Sequence, residues 1–423
     1  MSVENSTQDL IARRNRLLGP AYRLFYEQPV QVVRGDGVWL YDQAGNRYLD
    51  AYNNVACVGH CHPRVVEAIA RQAAIVNTHT RYLHETVLDY AERLLATFPP
   101  EIGNVMFTCT GSESNDLALR VARTCTGGTG VVVTKTAYHG VTGLLAELSP
   151  SLGLPEPTAP HVRLVPAPQP AGDATGDIFA GHIRAAFDDM KRSGIRPAAL
   201  LVDTIFSSDG VFADPPGFLR PAVDAARAAG ALFIADEVQP GFGRCGDGLW
   251  GFARHGLIPD VVTMGKPMGN GHPVAAMAAR PELLKEFGAR SRYFNTFGGN
   301  PVSAAAATAV LDVIEQEGLV ENAKRTGAYL RERIVALRDR HDLIHDVRGA
   351  GLFIGVELRR GDAPAAKETA QLVNGLRARH VLISAAGPNA NVLKVRPPLV
   401  FGREHADLLI ETLDQALRDI PRG

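Results

Sequence analysis

Four short runs constrain this chain most: Val131-Val132-Val133, Ala198-Ala199-Leu200-Leu201-Val202, Ala231-Leu232-Phe233-Ile234-Ala235 and Val261-Val262-Thr263. Each is apolar at consecutive positions instead of at alternate ones, so both faces of the strand are buried, as in a parallel sheet covered by helices. Helical patterns lie between them. Residues 218–229 form one, closing at Gly230, which suits the left-handed position after a helix C-terminus. The middle of the chain therefore reads as α/β.

The flanks follow other rhythms. Residues 37–50 read as a hairpin turning at Ala44-Gly45-Asn46. Residues 149–175, rich in proline, glycine and alanine, read as a surface excursion with neither strand nor helix. Past about Asn300 come a long alanine-rich helix, a second over about 320–340, strands over 351–358, 381–385 and 391–395, and a last helix from Glu404. This is the pattern of a separate α+β unit. The expected organisation is an N-terminal segment (1–55) packed with a C-terminal small domain (311–423), around a large domain (56–310).

At 423 residues the chain is long enough to enclose a catalytic crevice. Its 44 basic residues balance 45 acidic ones, which excludes an overall field for nucleic acid or an anionic membrane and favours small-molecule partners. Five scattered cysteines give no disulfide framework and point to a reducing, cytoplasmic setting. The first 19 residues lack an apolar centre, and nowhere do about 18 uninterrupted apolar residues occur. Cys57-Val58-Gly59-His60-Cys61-His62 offers zinc ligands without a second pair at finger spacing, so no metal site is expected.

Two strand ends carry the chemistry. Asp236 and Glu237 follow one apolar strand and Lys266 follows another. The carboxyl ends of parallel strands open onto one crevice, where these groups can meet. A desolvated lysine amine is a nucleophile and base, and an aspartate can hold a protonated pyridine nitrogen. On spacing alone, a structural salt bridge between Asp236 and Lys266 is an equal reading. Thr110-Gly111-Ser112-Glu113-Ser114-Asn115 is a turn feeding a helix whose free N–H groups suit a phosphate, although such turns are also ordinary helix caps. Tyr138, after the Val131 strand, can stack on a flat ring or simply pack in the core.

Taken in order, these residues resemble the class III aminotransferase family of fold-type I pyridoxal-phosphate (PLP) enzymes. The likeness runs along nearly the whole chain: Gly59-His60-Cys61-His62-Pro63, Thr110 to Asn115, Tyr138-His139-Gly140, Asp236-Glu237-Val238-Gln239, Gly265-Lys266, Thr296-Phe297-Gly298-Gly299-Asn300-Pro301 and Arg348-Gly349-Ala350-Gly351-Leu352. It implies a large domain with a mainly parallel seven-stranded sheet. It also implies that Lys266 holds PLP as a Schiff base, Asp236 pairs with the pyridine nitrogen, and Gln239 bonds the ring 3-oxygen. Tyr138 would stack on the ring, while Gly111 and Ser112 bind the phosphate. The threonine matching Thr296 reaches the neighbouring subunit's cofactor in this family, which implies a homodimer with shared sites.

Two positions depart from the aminotransferases of the family. Lys394 stands where many carry an arginine in an arginine-x-x-proline-proline segment, and Ser208 where they carry a gating glutamate. A lysine point charge does not replace arginine's planar fork on a carboxylate, so a substrate without an α-carboxylate is expected. Asn53-Asn54-Val55-Ala56, the run from Val261 to Ala275 and Asn391-Val392-Leu393-Lys394 are similar to the ethanolamine-phosphate phospho-lyase branch. That branch splits O-phosphoethanolamine into acetaldehyde, ammonia and phosphate, and its relatives act on phosphorylated hydroxylysine. Lys394, Arg81, Asn53 and Asn54 are the candidates for binding the substrate phosphate. Ordinary transamination between an amine and a keto acid is the alternative activity.

Overall fold

The computed structural model describes residues 3–153 and 159–421. The apolar runs become a seven-stranded sheet. Its spatial order is Asn104–Thr108, Ala275–Ala279, Val261–Met264, Leu232–Asp236, Pro197–Asp203, Gly130–Thr134 and Val162–Val165. All pairings are parallel except those of Ala275–Ala279, which runs antiparallel to both neighbours. Every residue of Gly130–Thr134, Val261–Met264 and Ala275–Ala279 is buried, which is why these strands carry no polar alternation. The helix expected over 218–229 spans Arg220–Ala228, and Gly230 takes φ +87°.

The hairpin forms from Trp39–Asp42 and Arg47–Asp50, with Val32–Asp36 added on one edge. Its other edge is closed by Val381–Leu382, parallel to Arg47–Asp50, so the N-terminal segment is tied to the C-terminal part by main-chain bonds. A third sheet contains Ile344–Ala350, Phe353–Arg360, Val392–Val395 and Ser384–Ala386. The alanine-rich helix is Pro301–Gln316, followed by Leu319–Ala336, and Arg403–Arg418 is the last helix. Ile344–Ala350 and the helix Ala366–Ala378 have no counterpart in the sequence reading.

One expectation is overturned. Within 149–175, Val162–Val165 is a strand, paired in parallel with Gly130–Thr134 as the edge of the main sheet. An edge strand needs only one partner and a half-buried surface, so Val-Arg-Leu-Val is too short a signal to stand out against its proline-rich flanks. Ser149 is fully buried and not a surface residue. Residues 154–158 of that stretch lie outside the described residues. No described helix is long and apolar enough to cross a membrane.

Candidate active site

Strand register brings the two strand ends together. Ile234, Ala235 and Asp236 pair with Val261, Val262 and Thr263, so Asp236 and Lys266 leave adjacent strands on the same rim. One cavity there is lined by Lys266, Asp236, Tyr138, Gln239, Gly111 and Ser112. Its floor is the helix Gly111–Thr126, started by a reciprocal cap. Thr110 Oγ1 accepts the Glu113 N–H at 3.1 Å, and the Glu113 carboxylate accepts the N–H groups of Thr110 and Cys109 at 3.0 and 2.7 Å. Among the described residues the N–H groups of Gly111 and Ser112 have no partner, so they present donors and the positive helix end to the cavity. Gly140 lets the next segment pack closely on the start of this helix: a Cβ there would lie 2.6 Å from Ser112 Oγ.

Asp236 is almost fully buried and held in place. Asn115 Nδ2 donates to Oδ2 at 2.9 Å, His139 Nδ1 donates to the same oxygen at 2.7 Å, and the Val238 N–H donates to Oδ1 at 3.1 Å. His139 Nε2 is buried without a partner among the described residues. Gln239 Oε1 accepts from Asn54 Nδ2 at 2.8 Å and from Arg396, which leaves its own amide N–H groups free to donate. Burial pulls the Lys266 amine down to about 8, with Arg396 adding like-charge repulsion against the attraction of Asp236 and Asp203. The Lys266 ammonium lies 5.9 Å from the Tyr138 ring centroid, and no ion pair joins it to Asp236, against the salt-bridge reading.

Lys394 sits on the strand Val392–Val395, between Gly355 and Ser384 of its neighbours. Its side chain is buried, and burial lowers its amine to about 7. Arg396 and Lys266 push in the same direction, against Asp203 and Asp209. The Lys394 ammonium makes no hydrogen bond or ion pair among the described residues, and lies 6.0 Å from the centroid of the Phe353 ring. Ser208 lies on the loop after Pro197–Asp203, where its carbonyl accepts the Gly387 N–H at 3.2 Å.

The other candidates sit differently. Asn54 reaches the site through Gln239, whereas Asn53 Oδ1 caps its own loop by accepting the Val55 N–H at 2.9 Å. Arg81 is exposed, stacked 3.8 Å over the Phe294 ring. Thr296 is exposed and lies outside this cavity, on a turn that Asn295 ties to Glu113 at 3.3 Å. In the zinc-like run, Cys57 donates to the Pro267 carbonyl, and His60 pairs with Asp50 at 2.7 Å. His139, Asn115 and Arg396 were missed by the sequence reading. Arg396 sits two residues after Lys394 with its guanidinium over the Tyr52 ring, and only the neighbouring motif pointed toward it.

The cavity fits PLP. It offers an amine of lowered pKa, a fixed carboxylate for a ring nitrogen, a free amide for a ring oxygen, an aromatic wall and unpaired N–H groups for a phosphate.

Comparison with known proteins agrees. The model of the family "Aminotransferase class-III" matches residues 25–417. A Drosophila melanogaster protein named "Alanine--glyoxylate aminotransferase 2-like" is 42% identical, over 96% of this chain and 86% of its own length. A Caenorhabditis elegans protein named "Ethanolamine-phosphate phospho-lyase homolog 1" is 36% identical, over 97% and 94%. A solved Arthrobacter phospholyase in complex with phosphoethanolamine superimposes with a TM-score of 0.95 at 46% identity, covering 98% of this chain and 100% of the other. With a family match over nearly its whole length, and a cavity built of the parts that PLP requires, this chain belongs to the class III aminotransferase family of PLP-dependent enzymes.

Proposed function

We propose that this protein is a PLP-dependent phospho-lyase that eliminates phosphate from O-phosphoethanolamine, or from a related phosphorylated amino alcohol, giving acetaldehyde, ammonia and phosphate. The observation that carries it is Lys394. Lys394 is buried with no ion-pair or hydrogen-bond partner among the described residues, an arrangement that is costly and suits a site where a ligand supplies the anion. Lys394 occupies the place of the carboxylate-binding arginine, and Ser208 that of the glutamate that gates it. Both differences suit a substrate whose anion is a phosphate and whose reacting carbon bears no carboxylate. The Arthrobacter phospholyase with its bound phosphoethanolamine supports the same substrate class.

Bound PLP supplies an electrophilic carbon and a ring that spreads negative charge from the carbon next to nitrogen. Lys266 would hold the cofactor, and its amine of lowered pKa would be the base that takes the proton from that carbon. Asp236, fixed by His139 and Asn115, keeps the ring nitrogen protonated. The N–H groups of Gly111 and Ser112 bind the cofactor phosphate, Tyr138 covers the ring, and Gln239 donates to the ring oxygen. Lys394 binds the substrate phosphate and stabilises its charge as the carbon–oxygen bond breaks. The electron pair of the broken carbon–oxygen bond leaves with phosphate, and the unsaturated amine left behind takes up one water to give acetaldehyde and ammonia, so no keto acid is needed.

The unit of function is a homodimer. Thr296 and Arg81 lie outside their own cavity, beside exposed apolar side chains: Leu83 is 97% exposed, Phe297 69% and Tyr82 66%. An apolar surface of this kind calls for a protein partner, and a second copy brings the partner subunit's Thr296 to the cofactor phosphate.

The Drosophila relative's name favours a second reading, transamination. Incubating purified protein with O-phosphoethanolamine and measuring phosphate with and without pyruvate separates the two. Acceptor-independent release is expected. No release under either condition, with alanine formed from another amine and pyruvate, establishes the aminotransferase.

A further inference from the structure

The loop that follows Pro197–Asp203 carries Ser208 and is held in a strained form. Phe206 has φ +52° and the β-branched Val211 φ +66°, conformations that persist only where surrounding contacts impose them. Asp203 binds the start of the loop, accepting the N–H groups of Ile205 and Ser207 at 3.1 and 3.0 Å. Arg348 Nε donates to the carbonyls of Gly210 and Val211, both at 3.0 Å, at its far end. Between these ties sits Asp209, which is 5% exposed. One of its oxygens accepts the Thr134 hydroxyl at 2.9 Å and the other accepts the Thr136 hydroxyl. Thr134 ends the strand Gly130–Thr134, and Thr136 follows in the turn that leads into Tyr138 and His139.

We propose that Asp209 is a positioning residue, a two-hydroxyl clamp that locks the 204–210 loop to the segment bearing Tyr138 and His139, so that the loop acts as a fixed wall and not as a moving gate. A glutamate gate has to swing; a loop with serine at that place, pinned on both sides of it, has nothing to swing. Displacing the clamp shifts the ring-covering tyrosine and the histidine on Asp236 together. The Lys394 ammonium, which Asp209 stabilises electrostatically, is disturbed by the same change.

The rate part of the test rests on the phospho-lyase reading; the spectroscopic part does not. Asp209→Asn keeps the shape and replaces one accepting oxygen with an amide nitrogen. In the PLP-loaded full-length enzyme it is expected to alter the visible circular dichroism of the bound cofactor. It should also lower kcat for phosphate release from O-phosphoethanolamine about 10- to 100-fold, with a smaller change in KM. The pair Thr134→Val and Thr136→Val should reproduce both effects. Thr134→Ser with Thr136→Ser, which keeps the hydroxyls, should restore both. Wild-type dichroism in the Asn and valine variants overturns the proposal, and so does a serine pair that behaves like the valine pair. A wild-type enzyme that releases no phosphate sinks the lyase reading alone, because the dichroism comparison needs no substrate.

Discussion

His139 Nδ1 lies 2.7 Å from Asp236 Oδ2, a contact between residues 97 apart in the chain and both almost completely buried. The histidine gives the carboxylate a donor and, among the described residues, has no partner on its other nitrogen, so Asp236 is held in one orientation at the cavity.

Removing that donor has a measurable cost. His139→Leu is expected to lower kcat about 10- to 100-fold, the equivalent of one hydrogen bond to a charged group. His139→Asn, whose amide can occupy the Nδ1 position, should recover most of it. Steady-state phosphate release from both variants checks this.

Lys266→Ala should abolish the visible Schiff-base absorbance of the purified protein and reduce turnover by at least about 10²-fold, since one residue serves as anchor and base. Absorption spectra before and after dialysis with PLP decide it. An unchanged band would mean that the cofactor is held elsewhere.

Lys394 should take up a proton when a phosphorylated substrate binds. In the free protein its amine sits at about 7, so at pH 8 it is mostly neutral. A phosphate placed beside it favours the charged form and raises the pKa, so binding at pH 8 takes up as much as one proton, whereas at pH 6 the amine is already charged and uptake fades. Calorimetric titration in buffers of different ionisation enthalpy measures this. Lys394→Met should remove the uptake and weaken substrate binding about 10- to 100-fold. It should leave the fold as stable or more so, because a buried amine with no ion-pair partner among the described residues is replaced by an apolar chain of similar length.

Shared sites predict complementation. Lys266→Ala and Thr296→Val homodimers should each have low activity. Hybrids formed by mixing them should regain it, because one site then combines an intact Lys266 with an intact Thr296 from the other chain. A hybrid no more active than its parents would place Thr296 in service of its own subunit.

The path from sequence to site was uneven for physical reasons. Lys266 and Asp236 were legible because each follows a strand apolar on both faces, and burial on that scale leaves a mark in consecutive residues. The free N–H groups at Gly111 and Ser112 were legible because Thr110 and Glu113 form a local cap, three residues apart. His139 was not, since beside Tyr138 it reads as one more strand-end residue, and its meeting with Asp236 depends on the order of strands in the sheet. Val162–Val165 escaped because an edge strand is covered on one side only. Arg81, offered by the sequence as one candidate for the substrate phosphate, lies exposed over the Phe294 ring, a placement that a cation's position in the chain does not reveal.

By itself, then, the amino-acid sequence determined a doubly covered, mainly parallel sheet, a lysine and an aspartate at two strand ends, and a lysine and a serine where an arginine and a glutamate would serve a carboxylate. Patterns of apolar residues and local caps act over a few residues, and they survive in the order of the letters. Only the tertiary structure decided that Asn115 and His139 grip the same oxygen of Asp236, that Arg396 and Asn54 share Gln239, and that Lys394 is buried with no ion-pair partner among the described residues. Hydrogen bonds and desolvation act over a few ångströms between residues far apart in the chain, so they take values only once the strands are registered and the loops are packed.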